Sequence, residues 1–217
     1  MTLSPGFASV VIDVDSTLCG IEGIDWLSEL RGAETGRAVA ELTDQAMRGE
    51  IALDSVYGAR LELVHPSASE VIALAEAYQS SLAPGAAEAI AALQRAGRRV
   101  VLVSGGLRDA ILPVAGQLGI PPEDVHAVAL RRSATGEYAG FDERSPLATA
   151  AGKAQVARSL GLPRRILAVG DGATDLAIRP VVDAFAAFTG YVHRPPVVAG
   201  ADVTIASFAQ LVELVLA

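Results

Sequence analysis

The stretch Ala8-Ser9-Val10-Val11-Ile12-Asp13-Val14-Asp15-Ser16-Thr17 decides the fold of this chain, because an apolar run ends there on two carboxylates spaced two residues apart. A strand projects alternate side chains to the same face, so Asp13 and Asp15 leave the strand end toward one crevice. Two acids in one crevice can bind a metal ion and take part in chemistry. The residues by themselves equally allow a solvated strand end before a helix capped at Ser16 or Thr17.

Short runs rich in Val, Ile and Leu recur along the chain with helical segments between them. They cover residues 9–13, 99–104, 125–130, 165–170, 184–188 and 203–205. Continuous apolar runs that alternate with helices predict an α/β fold, a doubly wound parallel sheet covered on both faces. Ligands in such folds bind beyond the carboxyl ends of the strands, so the residues that close these runs are the candidates for function.

The interval 18–82 is too long for a simple crossover and carries a helical pattern. We therefore expect an inserted helical cap over 18–82 and a catalytic core formed by residues 1–17 and 83–217. A second, smaller insertion is a predicted β-hairpin that turns at Thr135-Gly136-Glu137.

Composition excludes several classes of partner. The chain has 217 residues and a net charge of -8, which provides no basic field for nucleic acid or for an anionic membrane surface. Its apolar runs fall short of the roughly 18 residues of a membrane span, and its N-terminus lacks the pattern of a signal peptide. Cys19 is the only cysteine, so no intrachain disulfide can form, and we expect a cytoplasmic location.

The run 99–104 closes with Ser104-Gly105-Gly106. A hydroxyl beside a permissive glycine turn suits a phosphoryl oxygen, because backbone amides can approach an anion closely there. The alternative is a plain turn in which Ser104 caps a helix.

The run 165–170 closes with Gly170-Asp171-Gly172-Ala173-Thr174-Asp175, which puts more carboxylates at the same edge of the predicted sheet. Three aspartates around one crevice repel one another unless a cation lies among them, and hard oxygen ligands favour Mg²⁺. Asp171 is therefore the candidate metal ligand that joins Asp13 and Asp15.

Lys153 is the only lysine of the chain and lies near the start of a helix expected over 152–160. A lysine in the crevice would offset negative charge on a nucleophile and on a phosphoryl group. A solvated position on the helix is the alternative.

These features occur together in the order and spacing of one superfamily. The chain resembles the haloacid-dehalogenase (HAD) superfamily of aspartate-nucleophile phosphatases over nearly its whole length, and within it the phosphoserine phosphatase family. The narrower resemblance rests on Glu22-Gly23-Ile24-Asp25, Ala46-Met47-Arg48-Gly49 with Arg60 downstream, Gly136-Glu137-Tyr138-Ala139-Gly140-Phe141-Asp142-Glu143, and Gly170-Asp171-Gly172-Ala173-Thr174-Asp175.

The resemblance implies a division of labour in the site. Asp13 attacks phosphorus and forms an aspartyl-phosphate, while Asp15 protonates the leaving serine oxygen and then deprotonates the hydrolytic water. Mg²⁺ is bound by the carboxylates of Asp13 and Asp171 and by the main-chain carbonyl of Asp15, and Asp175 supports the site. The phosphoryl oxygens are held by Ser104, Gly105, Lys153 and Thr174. Because Asp15 must begin protonated, we expect its like-charged neighbours to raise its pKa.

The implied substrate is a small phosphorylated amino acid, O-phospho-L-serine, and the implied pathway is serine biosynthesis. Arg60 can bind a carboxylate through two N–H groups, and Glu22 can pair with an ammonium group. By family match, Met47 and Gly49 also line this part of the site. Without the resemblance, Arg60 and Glu22 are exposed charges on a helical surface.

One segment departs from the family pattern. Residues 187–196 contain Thr189 where a second glycine is usual, and we expect Pro195-Pro196 to break the helix that follows. Substrate range or phosphate access can differ at this edge of the crevice.

Three alternatives follow from the same residues. A HAD phosphatase for another small phosphorylated metabolite would keep the catalytic residues and change the cap. A non-hydrolytic phospho-acceptor signalling module also gathers aspartates around Mg²⁺, but such modules are about half this length and lack a helical cap. Carbon-halogen hydrolysis is disfavoured, because Asp15 is the acid and base that a phosphatase needs.

Overall fold

Six parallel strands form the central sheet of the computed structural model, which describes residues 6–47, 50–51 and 53–216. The strands are β1 Ser9–Ile12, β2 Arg99–Leu107, β3 Val125–Val128, β6 Ile166–Gly170, β7 Ala184–Phe188 and β8 Val203–Ile205. Their order across the sheet is β3-β2-β1-β6-β7-β8. The chain thus builds one half of the sheet outward from β1 and then returns to build the other half. The crevice beyond the carboxyl ends of β1, β2 and β6 is the switch point where such folds bind ligands.

Helices connect the strands and cover both faces of the sheet. They are α1 Gly23–Leu30, α2 Ala33–Met47, α3 Leu53–Val64, α4 Ala68–Ser80, α5 Ala86–Arg95, α6 Arg108–Gln117, α7 Gly152–Ser159, α8 Ala173–Leu176, α9 Pro195–Gly200 and α10 Phe208–Leu216. The predicted doubly wound α/β fold is therefore confirmed. No helix within the described ranges combines the length and the apolar character needed to cross a membrane.

The apolar side chains of the sheet alternate between two buried clusters. Val10 and Ile12 point into one cluster, which continues into the helices between β1 and β2 through Leu27, Leu61 and Leu74. Val11 points to the opposite face and packs in the second cluster. Burial on both faces explains why the strands have continuous apolar sequences.

The helices α1 to α4 occupy the interval in which the sequence predicts an inserted cap. The fourth begins with a capping box, in which the hydroxyl of Ser67 accepts from the amide of Glu70 and the carboxylate of Glu70 accepts from the amide of Ser67. It packs against α6, which follows β2. The division into core and cap stays a prediction.

The predicted hairpin is present as an antiparallel pair, β4 Leu130–Arg132 with β5 Tyr138–Phe141. It packs against α3, where the rings of Tyr57 and Phe141 meet edge to face with centroids 5.2 Å apart. The prediction for Pro195-Pro196 was wrong, because the two prolines are the first residues of α9. The first turn of a helix needs no intrahelical N–H and suits the fixed φ of proline, so the pair begins the helix.

Candidate active site

Strand register brings the predicted catalytic residues to one edge of the sheet. Ile12 lies level with Leu102 on one side and with Val169 on the other. The residues that follow these positions, Asp13 and Asp171 among them, therefore lie at the same crevice. The amide of Asp13 still donates to the carbonyl of Val169 at 3.0 Å, which anchors the first carboxylate to the sheet.

Lys153 lies at the centre of this crevice and is almost fully buried. Its Nζ is 2.7 Å from Oδ1 of Asp13 and 2.7 Å from Oδ1 of Asp175. Burial by itself lowers the pKa of Lys153, but the two carboxylates outweigh it and raise that pKa, so the ammonium stays charged. Burial raises the pKa of Asp13 well above its ordinary value, and Lys153 opposes the change.

Asp175 is held from two sides. Its second oxygen accepts from the amide of Gly172 at 3.0 Å, at the start of α8. Its side chain also lies against the backbone of Gly170, where a Cβ atom would be 2.2 Å from the carboxyl carbon of Asp175. Glycine at position 170 therefore makes room for the acid that fixes Lys153.

Asp15 points back toward the helices that follow β1. Its Oδ1 accepts from the hydroxyl of Tyr78 at 2.7 Å and from the amide of Gly23 at 2.8 Å. Its pKa is raised, as expected, but burial is the cause, while the hydrogen bonds from Tyr78 and Gly23 oppose the change. Burial, and not the expected repulsion by like-charged neighbours, is therefore the main cause. Sequence reasoning did not find Tyr78, which follows Asp15 by 63 residues.

Asp171 contacts a residue that sequence reasoning also missed. Nε of Arg194 donates to Oδ2 of Asp171 at 2.9 Å, and Nη2 of Arg194 lies 3.8 Å from Oε1 of Glu22. Burial raises the pKa of Asp171 to about 6, and Arg194 opposes the change. Arg194 lies in the segment 187–196, which departs from the family pattern and which the sequence placed at the edge of the crevice. That placement is the one sequence feature that could have pointed to Arg194 as a site residue.

The acids can hold a metal ion. Oxygen atoms of Asp13, Asp171 and Asp175 lie within 4.8 Å of one another, and all three side chains are buried. A buried set of carboxylate oxygens suits a hard divalent cation such as Mg²⁺. The hydroxyl of Thr17 lies 3.4 Å from Oδ1 of Asp171 and provides a polar contact behind the site.

A cavity of about 250 Å³ opens over these groups. Its lining combines the acids and Lys153 with predicted substrate-binding residues, namely Glu22, Arg60, Gly105 and Thr174. Within this cavity Arg60 donates from Nη2 to Oδ1 of Asp25 at 2.6 Å. Glu22 accepts at 2.7 Å from the hydroxyl of Ser16, whose backbone is left-handed with φ of 51°. Burial raises the pKa of Glu22, with a further rise from Asp15.

Ser104 is not among the described residues that line the cavity. Ser104 is fully buried, its hydroxyl accepts from the amide of Gly106 at 2.9 Å, and it lies 3.5 Å from Oδ2 of Asp15. Gly49 lies outside the described residues, and Met47 is described only as the last residue of α2.

Comparison with known proteins decides the family. Residues 10–179 match the family of haloacid dehalogenase-like hydrolases. The chain belongs to this family. The phosphoserine phosphatase of Bos taurus is 40% identical over 206 residues, which cover 94% of this chain and 91% of that protein. The chloroplastic phosphoserine phosphatase of Arabidopsis thaliana is 40% identical over 209 residues, which cover 94% of this chain and 70% of that protein.

Solved structures of other proteins share the fold. A phosphoserine phosphohydrolase-like protein from Francisella tularensis superposes with a TM-score of 0.82 at 24% identity, over 95% of this chain and 98% of that chain. The match of residues 10–179 confirms the resemblance of the sequence to the haloacid-dehalogenase superfamily, and the relatives about 40% identical over 94% of the chain confirm its resemblance to phosphoserine phosphatases. The expected cytoplasmic location stays a prediction.

Proposed function

We propose that this protein is a Mg²⁺-dependent phosphomonoesterase that hydrolyses O-phospho-L-serine to L-serine and phosphate. One observation carries the proposal: the buried cluster of Asp13, Lys153 and Asp171 shares its cavity with Arg60 and Glu22. The cluster suits phosphoryl chemistry, while a cation and an anion in the same cavity suit an amino acid. The similarity to phosphoserine phosphatases over 94% of the chain supports the same substrate.

Asp13 is the nucleophile in this proposal. Its carboxylate attacks phosphorus, an Asp13–phosphorus bond forms, and the bond between phosphorus and the serine oxygen breaks. Lys153 lies 2.7 Å from Asp13, close enough to offset charge on both the nucleophile and the phosphoryl oxygens. Gly105 and Thr174 line the cavity and would donate to the phosphoryl oxygens. Ser104 supports this loop, since its hydroxyl accepts from the amide of Gly106 at 2.9 Å.

Asp15 is the acid and then the base. Burial raises its pKa, which favours the protonated form needed to donate to the leaving serine oxygen. The resulting carboxylate then takes a proton from the water that hydrolyses the aspartyl-phosphate. The same group thus serves both half-reactions, and no further acid is needed.

Mg²⁺ would be held by the carboxylates of Asp13 and Asp171 and the main-chain carbonyl of Asp15, with Asp175 in support. When bound, it supplies positive charge that stabilises the phosphoryl group during transfer. The carboxylates of Asp13, Asp171 and Asp175 fit this role, because their oxygen atoms converge and are buried.

Substrate choice is assigned to the helices between β1 and β2, which we propose form a cap of residues 18–82 over a core of residues 1–17 and 83–217. Arg60 would exchange its contact with Asp25 for the substrate carboxylate, and Glu22 would pair with the ammonium group. Met47 and Gly49 complete this side of the pocket in the proposal.

The test is a phosphate-release assay with O-phospho-L-serine, with and without Mg²⁺. We expect steady multiple turnover that requires Mg²⁺ and is lost in Asp13→Asn, while that variant stays folded. Full turnover by Asp13→Asn would overturn the proposed chemistry. A single stoichiometric phosphorylation without turnover would favour the signalling module.

Substrate class is tested separately. We expect Arg60→Ala to raise the KM for phosphoserine about tenfold or more, because a charged hydrogen-bond pair is lost, and to leave phosphoethanolamine, which has no carboxylate, unaffected. Arg37→Ala, an exposed arginine on α2, is the matched control. An unchanged KM in Arg60→Ala would point to another small phosphorylated metabolite.

A further inference from the structure

Tyr78 makes a contact that neither the motifs nor the proposed chemistry accounts for. It lies in α4, far from β1 in sequence, and is fully buried. Its hydroxyl donates to Oδ1 of Asp15 at 2.7 Å. A helix of the proposed cap thus contacts the acid-base residue directly.

The two oxygens of Asp15 have different surroundings. Oδ1 accepts from two donors, the hydroxyl of Tyr78 at 2.7 Å and the amide of Gly23 at 2.8 Å. Among the described residues, the hydrogen-bond partner of Oδ2 is the hydroxyl of Ser104, at the long distance of 3.5 Å. When Asp15 is protonated, the proton therefore belongs on Oδ2, because Oδ1 already accepts two hydrogen bonds.

Close packing keeps the Tyr78 hydroxyl in this place. A Cβ atom added at Gly23 would lie 2.2 Å from the hydroxyl oxygen of Tyr78. A Cβ atom added at Gly106 would lie 3.0 Å from Oδ2 of Asp15 and 3.1 Å from the same hydroxyl oxygen. The Tyr78–Asp15 pair thus occupies a space that two glycines leave open.

We propose that Tyr78 is a positioning residue for Asp15: it occupies Oδ1 and so presents the protonated Oδ2 to the leaving oxygen of the substrate. The inference rests on the proposed function. In the first half-reaction, the proton on Oδ2 passes to the serine oxygen as the bond from that oxygen to phosphorus breaks and the bond from Asp13 to phosphorus forms. Tyr78 keeps its own proton throughout.

The state of Tyr78 agrees with this role. Tyr78 is fully buried and its hydroxyl donates to Oδ1 of Asp15 at 2.7 Å, which fixes this donor in place. A fixed donor restricts rotation of the carboxyl group, and small errors in the placement of a catalytic group cost rate.

The test is Tyr78→Phe, which removes one hydroxyl and keeps the ring. We compare substrates whose leaving groups differ in their need for a proton. With phosphoserine, an alkyl ester, we expect the single-turnover rate to fall about tenfold or more, with KM changed by less than about twofold. With p-nitrophenyl phosphate, whose leaving group needs no proton, the burst of nitrophenolate should change by less than about twofold.

Tyr138→Phe is the matched control, since Tyr138 lies on the hairpin with its hydroxyl 3.5 Å from Glu62 and outside the cavity lining. If Tyr78→Phe does not fold, Tyr78→Met provides a second apolar variant that can fill the same space, and the same selectivity is expected. Equal losses on both substrates, or no loss on phosphoserine, would overturn the positioning role alone. A wild-type protein that does not hydrolyse phosphoserine would overturn the proposed function and this inference with it.

Discussion

Nζ of Lys153 lies 2.7 Å from Oδ1 of Asp13, and both side chains are almost fully buried. Burying an ion pair costs free energy, because both charges lose their water. Removing one partner costs more, because the remaining buried charge then has no partner. Asp175, at 2.7 Å, makes a second pair with the same ammonium. The only lysine of the chain thus compensates two buried carboxylates at the proposed nucleophile.

Lys153→Met should therefore lower both stability and activity. We expect a loss of about 3–5 kcal/mol in the free energy of unfolding, because two buried carboxylates lose their cation. We expect a loss of about a hundredfold or more in kcat, because positive charge near the phosphoryl group is removed. Urea denaturation and phosphate release measure the two effects. Arg158→Met is the control, because Arg158 is exposed on the same helix, and it should change the free energy of unfolding by less than about 0.5 kcal/mol. An equally small change in Lys153→Met would contradict the prediction.

The raised pKa of Asp171 predicts how the stability of the metal-free protein depends on pH. The folded protein holds this proton more tightly than the unfolded chain, since the pKa rises from 3.8 to about 6. The stabilisation is therefore present below about pH 4 and is lost as the pH rises through 6. Its size is about 3 kcal/mol at most. Asp171→Asn should remove this part of the pH dependence, measured by urea denaturation in EDTA.

Two controls accompany this measurement. Asp142→Asn, on the turn after the hairpin and outside the cavity lining, is the matched control for the loss of a carboxylate. Saturating Mg²⁺ should restore the stability of the wild type at neutral pH, because a ligand that binds the folded state stabilises it, and should not restore Asp171→Asn. Identical pH profiles for the wild type and Asp171→Asn would show that Asp171 does not titrate as described.

Gly170→Ala should disturb the site through Asp175. The new Cβ would lie 2.2 Å from the carboxyl carbon of Asp175, so the acid must move away from Lys153. We expect a loss of about 1–3 kcal/mol in the free energy of unfolding and a clear fall in kcat. Gly116→Ala, in α6 with no atom near the added methyl, should instead stabilise by about 0.5–1 kcal/mol. Wild-type activity in Gly170→Ala would contradict the assigned role of Asp175.

Several elements were predictable because they leave a local pattern. The strand predicted over 184–188 is β7 Ala184–Phe188, and the site residues Asp13 and Asp171 follow apolar strands as expected. The run 125–130 was less informative, because it divides into β3 Val125–Val128 and β4 Leu130–Arg132. An unbroken apolar run indicates burial, but it does not indicate where the backbone changes direction within the run.

The sequence by itself determined that carboxylates close two strands of a predicted parallel sheet, because the carboxyl ends of parallel strands lie at one edge of the sheet and alternate side chains share a face. Only the tertiary structure made these two strands neighbours. Only the tertiary structure decided which groups these carboxylates contact. Tyr78 reaches Asp15 from α4, and Arg194 reaches Asp171 from the residue before α9. These pairings depend on how separate helices pack across the crevice. Local periodicity predicts which face of a helix is buried, but it does not predict which side chain of another element that face contacts.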